Sequence, residues 1–206
     1  MTKTLAEAFR GKTLADREPF VYHGIKALAR EQGIPFALIG GRALACHGIR
    51  GGKSGGDLDF AATRPLNPTG FVEVVGKAHC GGLEYEHALG IRFHWIIRED
   101  ELAPLYEEAI NAAEEDMDGM PIAPLEHLLV MKLLARKKFL FLRRRRFKDV
   151  DDAVDILRSK KLDLALCLEL AQRHGTRETV QLIGCPEKLS NLRWKMLPRD
   201  SWGACS

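Results

Sequence analysis

Asp57 and Asp59 stand one residue apart. On an extended strand, residues i and i+2 point to the same face, so the two carboxylates project side by side. Like charges that close resist joint ionisation unless a cation sits between them. A divalent magnesium or manganese ion meets that demand, because it takes carboxylate oxygens and substrate phosphates together. In phosphoryl and nucleotidyl transfer such ions neutralise developing charge and align the attacking and leaving oxygens. A bare D-x-D is also common in solvated loops, here with Asp57 capping a turn after Gly55-Gly56.

The glycines upstream narrow the choice. Gly40 and Gly41 follow the short apolar run Phe36-Ala37-Leu38-Ile39. Glycine where a strand meets a helix lets backbone N–H groups approach a phosphate, and the helix N-terminus favours its charge. The plain alternative is a tight turn. A strand, Gly-Gly, a short helix, a loop and a D-x-D strand are more specific together than apart. The run Gly48-Ile49-Arg50-Gly51-Gly52-Lys53-Ser54 imitates a P-loop but has three residues, not four, before Gly-Lys-Ser, and His47 stands where the first glycine belongs. Lys53 and Ser54 remain candidates for contact with a triphosphate.

The surrounding elements follow from periodicity. Glu18–Gln32 reads as an amphipathic helix with Phe20, Ile25, Leu28 and Ala29 at helical spacing. Phe36–Ile39 reads as a buried strand, Arg42–His47 as a helix and Leu58–Ala61 as the next strand. Phe71–Ala78 is expected to be helical. Glu84–Glu86 and Ile91–Ile97 are two further strands, the second β-prone. Leu102–Met117 is predicted as a helix broken by Met120–Pro124, and Leu125–Phe141, Asp149–Leu157 and Leu162–His174 as three more. From about Gly184 the tail has little periodicity. Strands thus gather before residue 100 and helices after it. This pattern predicts an α+β fold: a core over residues 1–120, then a helical C-terminal part over 121–206 with an irregular tail.

The chain has 206 residues, 46% hydrophobic and 29% charged, with a net charge of +3. That is the profile of a globular protein, and the total charge alone demands no nucleic acid. The five cysteines, Cys46, Cys80, Cys167, Cys185 and Cys205, are scattered and contain no C-x-x-C pair, so neither a disulfide framework nor a zinc knuckle is expected. The first residues lack the apolar core of a secretory signal, and no apolar run approaches the roughly 18 residues that cross a bilayer. A cytoplasmic protein without a membrane partner is the expectation.

Two blocks of sequence carry a family resemblance. Ala37-Leu38-Ile39-Gly40-Gly41-Arg42-Ala43-Leu44-Ala45-Cys46-His47-Gly48-Ile49-Arg50, followed by Asp57-Leu58-Asp59-Phe60, resembles the opening motif of minimal nucleotidyltransferases related to the AbiEii abortive-infection toxins, within the polymerase-β superfamily. Pro124–Arg136 and Arg146–Leu157 resemble, more loosely, that family's later lysine helix and Lys-Asp-x-x-Asp segment. The resemblance spans roughly residues 18 to 160. It implies a polymerase-β-type core with a mixed sheet and transfer of a nucleoside monophosphate from an NTP to an acceptor hydroxyl. It further implies triphosphate contact by Gly40, Gly41 and Arg42, and magnesium or manganese on Asp57 and Asp59. Lys132 would touch phosphate and Asp149 would be the acid of the last motif. Read without the family, Lys132 is a solvated helix residue and Asp149 an acid favoured at a helix N-terminus. Some members modify tRNA ends and pair with an antitoxin, so an RNA acceptor and an antitoxin protein are implied partners.

The chain departs from that pattern in one important place. Where a third acid is sought, the strand Ile91–Ile97 offers His94, a candidate metal ligand or a plain strand histidine. Glu84, Glu86 and Asp100 are the alternatives. A degenerate nucleotide- or RNA-binding module of the same fold is the rival reading. Farther on, Lys137, Lys138, Arg143, Arg144, Arg145, Arg146 and Lys148 put seven cations within twelve residues, with Phe139, Phe141 and Phe147 interleaved. Such a run can neutralise RNA phosphates and stack bases, or be a solvated helix end.

Overall fold

The computed structural model describes residues 7–49, 58–78, 81–138, 146–159, 161–185 and 187. The chain divides into two compact units, Met1–Pro124 and Leu125–Ser206.

The first unit is α+β. Helix α1 (Leu14–Glu31) begins one turn before the expected Glu18, because Thr13 supplies a capping box with Asp16. Its Val21, Ile25, Leu28 and Ala29 are buried at i, i+4, i+7 and i+8. Strand β1 (Phe36–Ile39) runs into α2 (Gly40–Cys46), and β2 (Leu58–Ala62) returns antiparallel to β1. Then come β3 (Val72–Lys77), β4 (Leu83–His87), β5 (Ile91–Ile96), α3 (Ala103–Asn111), β6 (Glu114–Glu115) and β7 (Pro121–Ile122). The seven strands form one mixed sheet in the order β3-β4-β5-β2-β1-β7-β6. Pairing is parallel between β2 and β5 and between β1 and β7, and antiparallel elsewhere.

Strand alternation separates two faces. Leu58, Phe60, Phe93, Trp95 and Tyr85 share one face and are all buried. Their rings interlock: Phe60 meets Phe93 edge-on at 5.9 Å, and Tyr85 stacks on Phe93 at 5.3 Å. Each such ring contributes about 1.5–3 kcal/mol by burial. The opposite face carries Asp59 and Ala61 on β2 beside His94 and Ile96 on β5.

Two expected helices are corrected. Phe71–Ala78 is not helical: β3 occupies most of it. Val72, Val74 and Val75 suit a pleat, and pairing with β4 supplies the hydrogen bonds that settle it. The helix expected over Leu102–Met117 ends at Asn111. Glu114 and Glu115 pair instead with β7, and the Asp116 carboxylate accepts from the N–H groups of Asp118 and Met120 to close the turn. Because β7 pairs with β1, residues 121–124 belong to the sheet unit.

The second unit is helical: α4 (Leu125–Lys138), α5 (Arg146–Arg158), α6 (Leu164–His174) and α7 (Arg177–Gly184). Asp163 caps α6 by accepting from the N–H groups of Ala165 and Leu166. Helix α7 has no counterpart among the expected elements; Thr176 and Thr179 cap it reciprocally. Leu128, Leu129, Ala153, Ile156, Cys167 and Leu170 form this unit's core. Burial pushes the Cys167 thiol up to about 12, as befits a core residue. Among the described residues, no helix is long and apolar enough to cross a membrane.

Candidate functional site

Strand register builds the site. Asp59 on β2 is directly opposite Ile39, the last residue of β1, so the Ile39–Gly40 junction passes beside its carboxylate. Gly40 has φ +69°, the left-handed region that side chains avoid. A Cβ there would come within 2.5 Å of Asp59 Oδ2. Glycine is thus required twice at this position, once by the backbone and once by the carboxylate. Gly41 follows it as the second residue of α2. Helix α2 has only seven residues, so close approach, rather than a strong dipole, is what the glycines offer.

On the other side of Asp59, β5 brings His94 into register. His94 Nδ1 lies 2.9 Å from Asp59 Oδ1, with the two side chains 19% and 25% exposed. Glu84 of β4 is the next residue along the same row, paired with His94. Its carboxylate lies 3.7 Å from Arg92. Phe93 and Trp95, on either side of His94 in the chain, are fully buried and anchor the strand.

Asp57, Lys53 and Ser54 lie outside the described residues, as do Arg143, Arg144 and Arg145. Arg146 opens α5. Arg42 is turned elsewhere. Its Nε donates to the Tyr22 hydroxyl at 2.9 Å, and it pairs with Glu18 at 2.5 Å. Burial pushes the Tyr22 phenol well above its usual range, with Arg42 opposing that rise. Arg42 lines a cleft of about 510 Å³ with Glu18, Tyr22, Lys26, Cys46 and Asp116. That volume suits a small molecule. Yet Gly40, Gly41, Asp59 and His94 are absent from its lining. The cleft and the carboxylate row are separate features, and the row is where the candidate chemistry stands. Desolvation, with the Asp116 charge adding to it, raises the Cys46 thiol above its ordinary value.

In the helical unit, Lys132 on α4 meets α5. Its Nζ lies 2.6 Å from Asp149 Oδ1 and 3.0 Å from Asp152 Oδ2. The Asp152 side chain is fully buried and that of Lys132 is 14% exposed. Burial alone would lower the Lys132 pKa; the two carboxylates outweigh it and hold the ammonium above its ordinary value. Lys132 is therefore no solvated helix residue. It is the central cation of a clamp with two anions. Asp152 received no role from the sequence, although its spacing from Asp149, i and i+3, places both on one helix face. Glu18 and Tyr22, the partners of Arg42, are likewise one turn apart on α1.

Among the described residues, no group of three or more His, Cys, Asp or Glu side chains is placed to hold a metal ion. Two donors do meet, Asp59 and His94. A divalent ion in a phosphoryl-transfer site keeps several waters and takes one or two protein ligands plus substrate phosphates. The described donors fit that modest requirement.

No protein-family model matches the chain, and no curated protein matches it.

Proposed function

We propose that this chain is a metal-dependent nucleotidyltransferase with a polymerase-β-type core, moving a nucleoside monophosphate from an NTP to an acceptor hydroxyl. The observation that carries the reading is the contact of Gly40 with Asp59, completed by His94. Backbone bare of side chain borders a carboxylate that already faces an imidazole. A triphosphate laid on Gly40-Gly41 would find the two donors beside it. A divalent cation bound there would neutralise charge at the transferred phosphoryl group. The residues' own tasks are to hold that cation through Asp59 and His94, with Asp57 as a further ligand, and to admit phosphate along the glycine backbone. The mixed sheet, with β1 and β2 antiparallel and β5 parallel to β2, agrees with such a core. The basic run around Arg143–Arg146 supports an RNA acceptor, and the resembled family supports a tRNA end as that acceptor and an antitoxin as partner.

The test is pyrophosphate release from each of the four NTPs, with magnesium or manganese and total RNA. Wild type should release pyrophosphate from at least one NTP. Asp57→Asn/Asp59→Asn should release at least about 100-fold less, since a metal supplies several kcal/mol and each 1.4 kcal/mol is tenfold. A second reading has its own observation: His94 stands where a third acid is sought. A module that binds NTP or RNA without turnover would show nucleotide affinity and no pyrophosphate, and that outcome would replace the transferase.

A further inference from the structure

We infer that the Asp59–His94 pair makes this face selective for a first-row divalent cation of the manganese–cobalt–zinc class over magnesium. This rests on the reading of the face as a cation site and sharpens which cation it takes.

The pair offers one oxygen and one nitrogen donor. Asp59 and His94 are register partners on neighbouring parallel strands, so their side chains leave the same face, and Nδ1 and Oδ1 stand 2.9 Å apart. The strands carrying them are pinned by Phe60, Phe93 and Trp95, all fully buried. Side chains mounted on such rigid elements hold their relative positions. Among the described residues, the register neighbours of the pair, Ile39 and Glu84, add no competing nitrogen. Gly40 presents only backbone to Asp59 Oδ2, and Glu84, beyond His94, is drawn to Arg92.

Magnesium prefers an all-oxygen octahedron and keeps its waters. An imidazole in place of a carboxylate removes a charged oxygen from its shell and supplies a ligand it uses poorly. First-row ions accept imidazole readily, and their affinity for mixed nitrogen–oxygen sites rises from manganese to cobalt. A carboxylate at position 94 would complete an oxygen set suited to magnesium. Histidine there tilts the site the other way.

The experiment uses the full chain freed of metal. Manganese is titrated in and its unbound fraction followed by electron paramagnetic resonance; magnesium and cobalt then compete. In wild type, cobalt should displace manganese at lower concentration than magnesium does, by about tenfold or more. His94→Asp should bring the two competitors within about threefold, mainly by raising magnesium affinity. His94→Gln should weaken cobalt and manganese by about tenfold or more, with a smaller change for magnesium. Circular dichroism reports whether each variant is folded, and the wild-type competition can overturn the inference without either variant. Magnesium competing as well as cobalt in wild type overturns the inference. So does a wild-type ratio of cobalt to magnesium affinity retained in His94→Gln, or manganese binding undiminished in Asp59→Asn. Should the cations rank as inferred while none supports pyrophosphate release, the transferase reading falls and the selectivity stands.

Discussion

In the sheet unit, Asp59 meets His94 across two parallel strands; in the helical unit, Lys132 meets Asp149 and Asp152 between α4 and α5. Both are partly buried meetings of carboxylate and nitrogen base. Their electrical balance differs. The helical cluster holds a permanent cation between two anions, one of them sealed from solvent, and its central charge is fully engaged. The sheet cluster holds one carboxylate and one imidazole, beside a backbone kept bare by glycine. A buried ion pair gains little over an apolar pair, yet breaking it by removing one partner is costly. The helical cluster is therefore a clamp first. In the sheet cluster Asp59 and His94 pair with each other, and it is there that the proposed cation would bind.

The largest expected effect tests the clamp. Lys132→Met should destabilise the chain by about 3–5 kcal/mol, because Asp152 is left buried without its cation. Urea denaturation measures this. A variant that keeps wild-type stability but loses NTP affinity would make Lys132 a phosphate ligand and erase the contrast between the clusters.

A smaller effect tests the sheet cluster. Gly40→Ala and Gly90→Ala both place a side chain at positive φ, at a cost of about 1–2 kcal/mol each. Around Gly90 nothing lies within 4 Å of the added Cβ, whereas at Gly40 it meets the Asp59 carboxylate. Both variants should lose stability in the same denaturation assay. Only Gly40→Ala should also weaken manganese binding. Equal metal affinity in the two would show that the Gly40 contact does not shape the cation site.

The smallest effect is in pH. Burial lowers the His87 pKa below 6.5, and its Nδ1 accepts the Leu89 N–H at 3.1 Å. A depressed histidine favours the fold above the unfolded value, and that contribution is lost as pH falls from about 6.5 through the folded value. Lys132 has the opposite sign: its pKa is raised above 10.5, so its contribution is full below that and lost as pH rises through the folded value. Each group can tilt stability by at most about 1.4 kcal/mol per pH unit. Hydrogen exchange resolved by peptide should show the sheet unit weakening in acid and the helical unit in alkali. His87→Phe should flatten the acid arm alone; an unchanged acid arm would acquit His87.

Legibility followed the range of the interactions. Phe36–Ile39, the glycine turn and Leu58–Ala61 were readable because a short apolar run, a breaker and alternation are local signals. Val72–Lys77 carries an ambiguous local signal, since valines at i, i+2 and i+3 satisfy a helix stripe as well as a pleat, and only β4 chooses between them. At Glu114–Glu115 two glutamates favour a helix locally, while pairing with β7 is invisible in the sequence. Arg42 follows the glycines directly in the chain, yet on its helix it faces α1, where Glu18 and Tyr22 take it.

The sequence by itself determined the separation of a strand-rich half from a helical half, the place of Gly40 at a strand–helix junction, and the residue types Asp59, His94, Lys132 and Asp149. Those follow from periodicity, backbone freedom and side-chain chemistry, which each residue carries with it. Only the tertiary structure decided that His94 stands against Asp59, thirty-five residues away in the chain, that Asp152 completes the Lys132 clamp, and that Arg42 leaves the carboxylate row. Strand register and helix contact set those distances, and both arise from packing between segments that share no local signal.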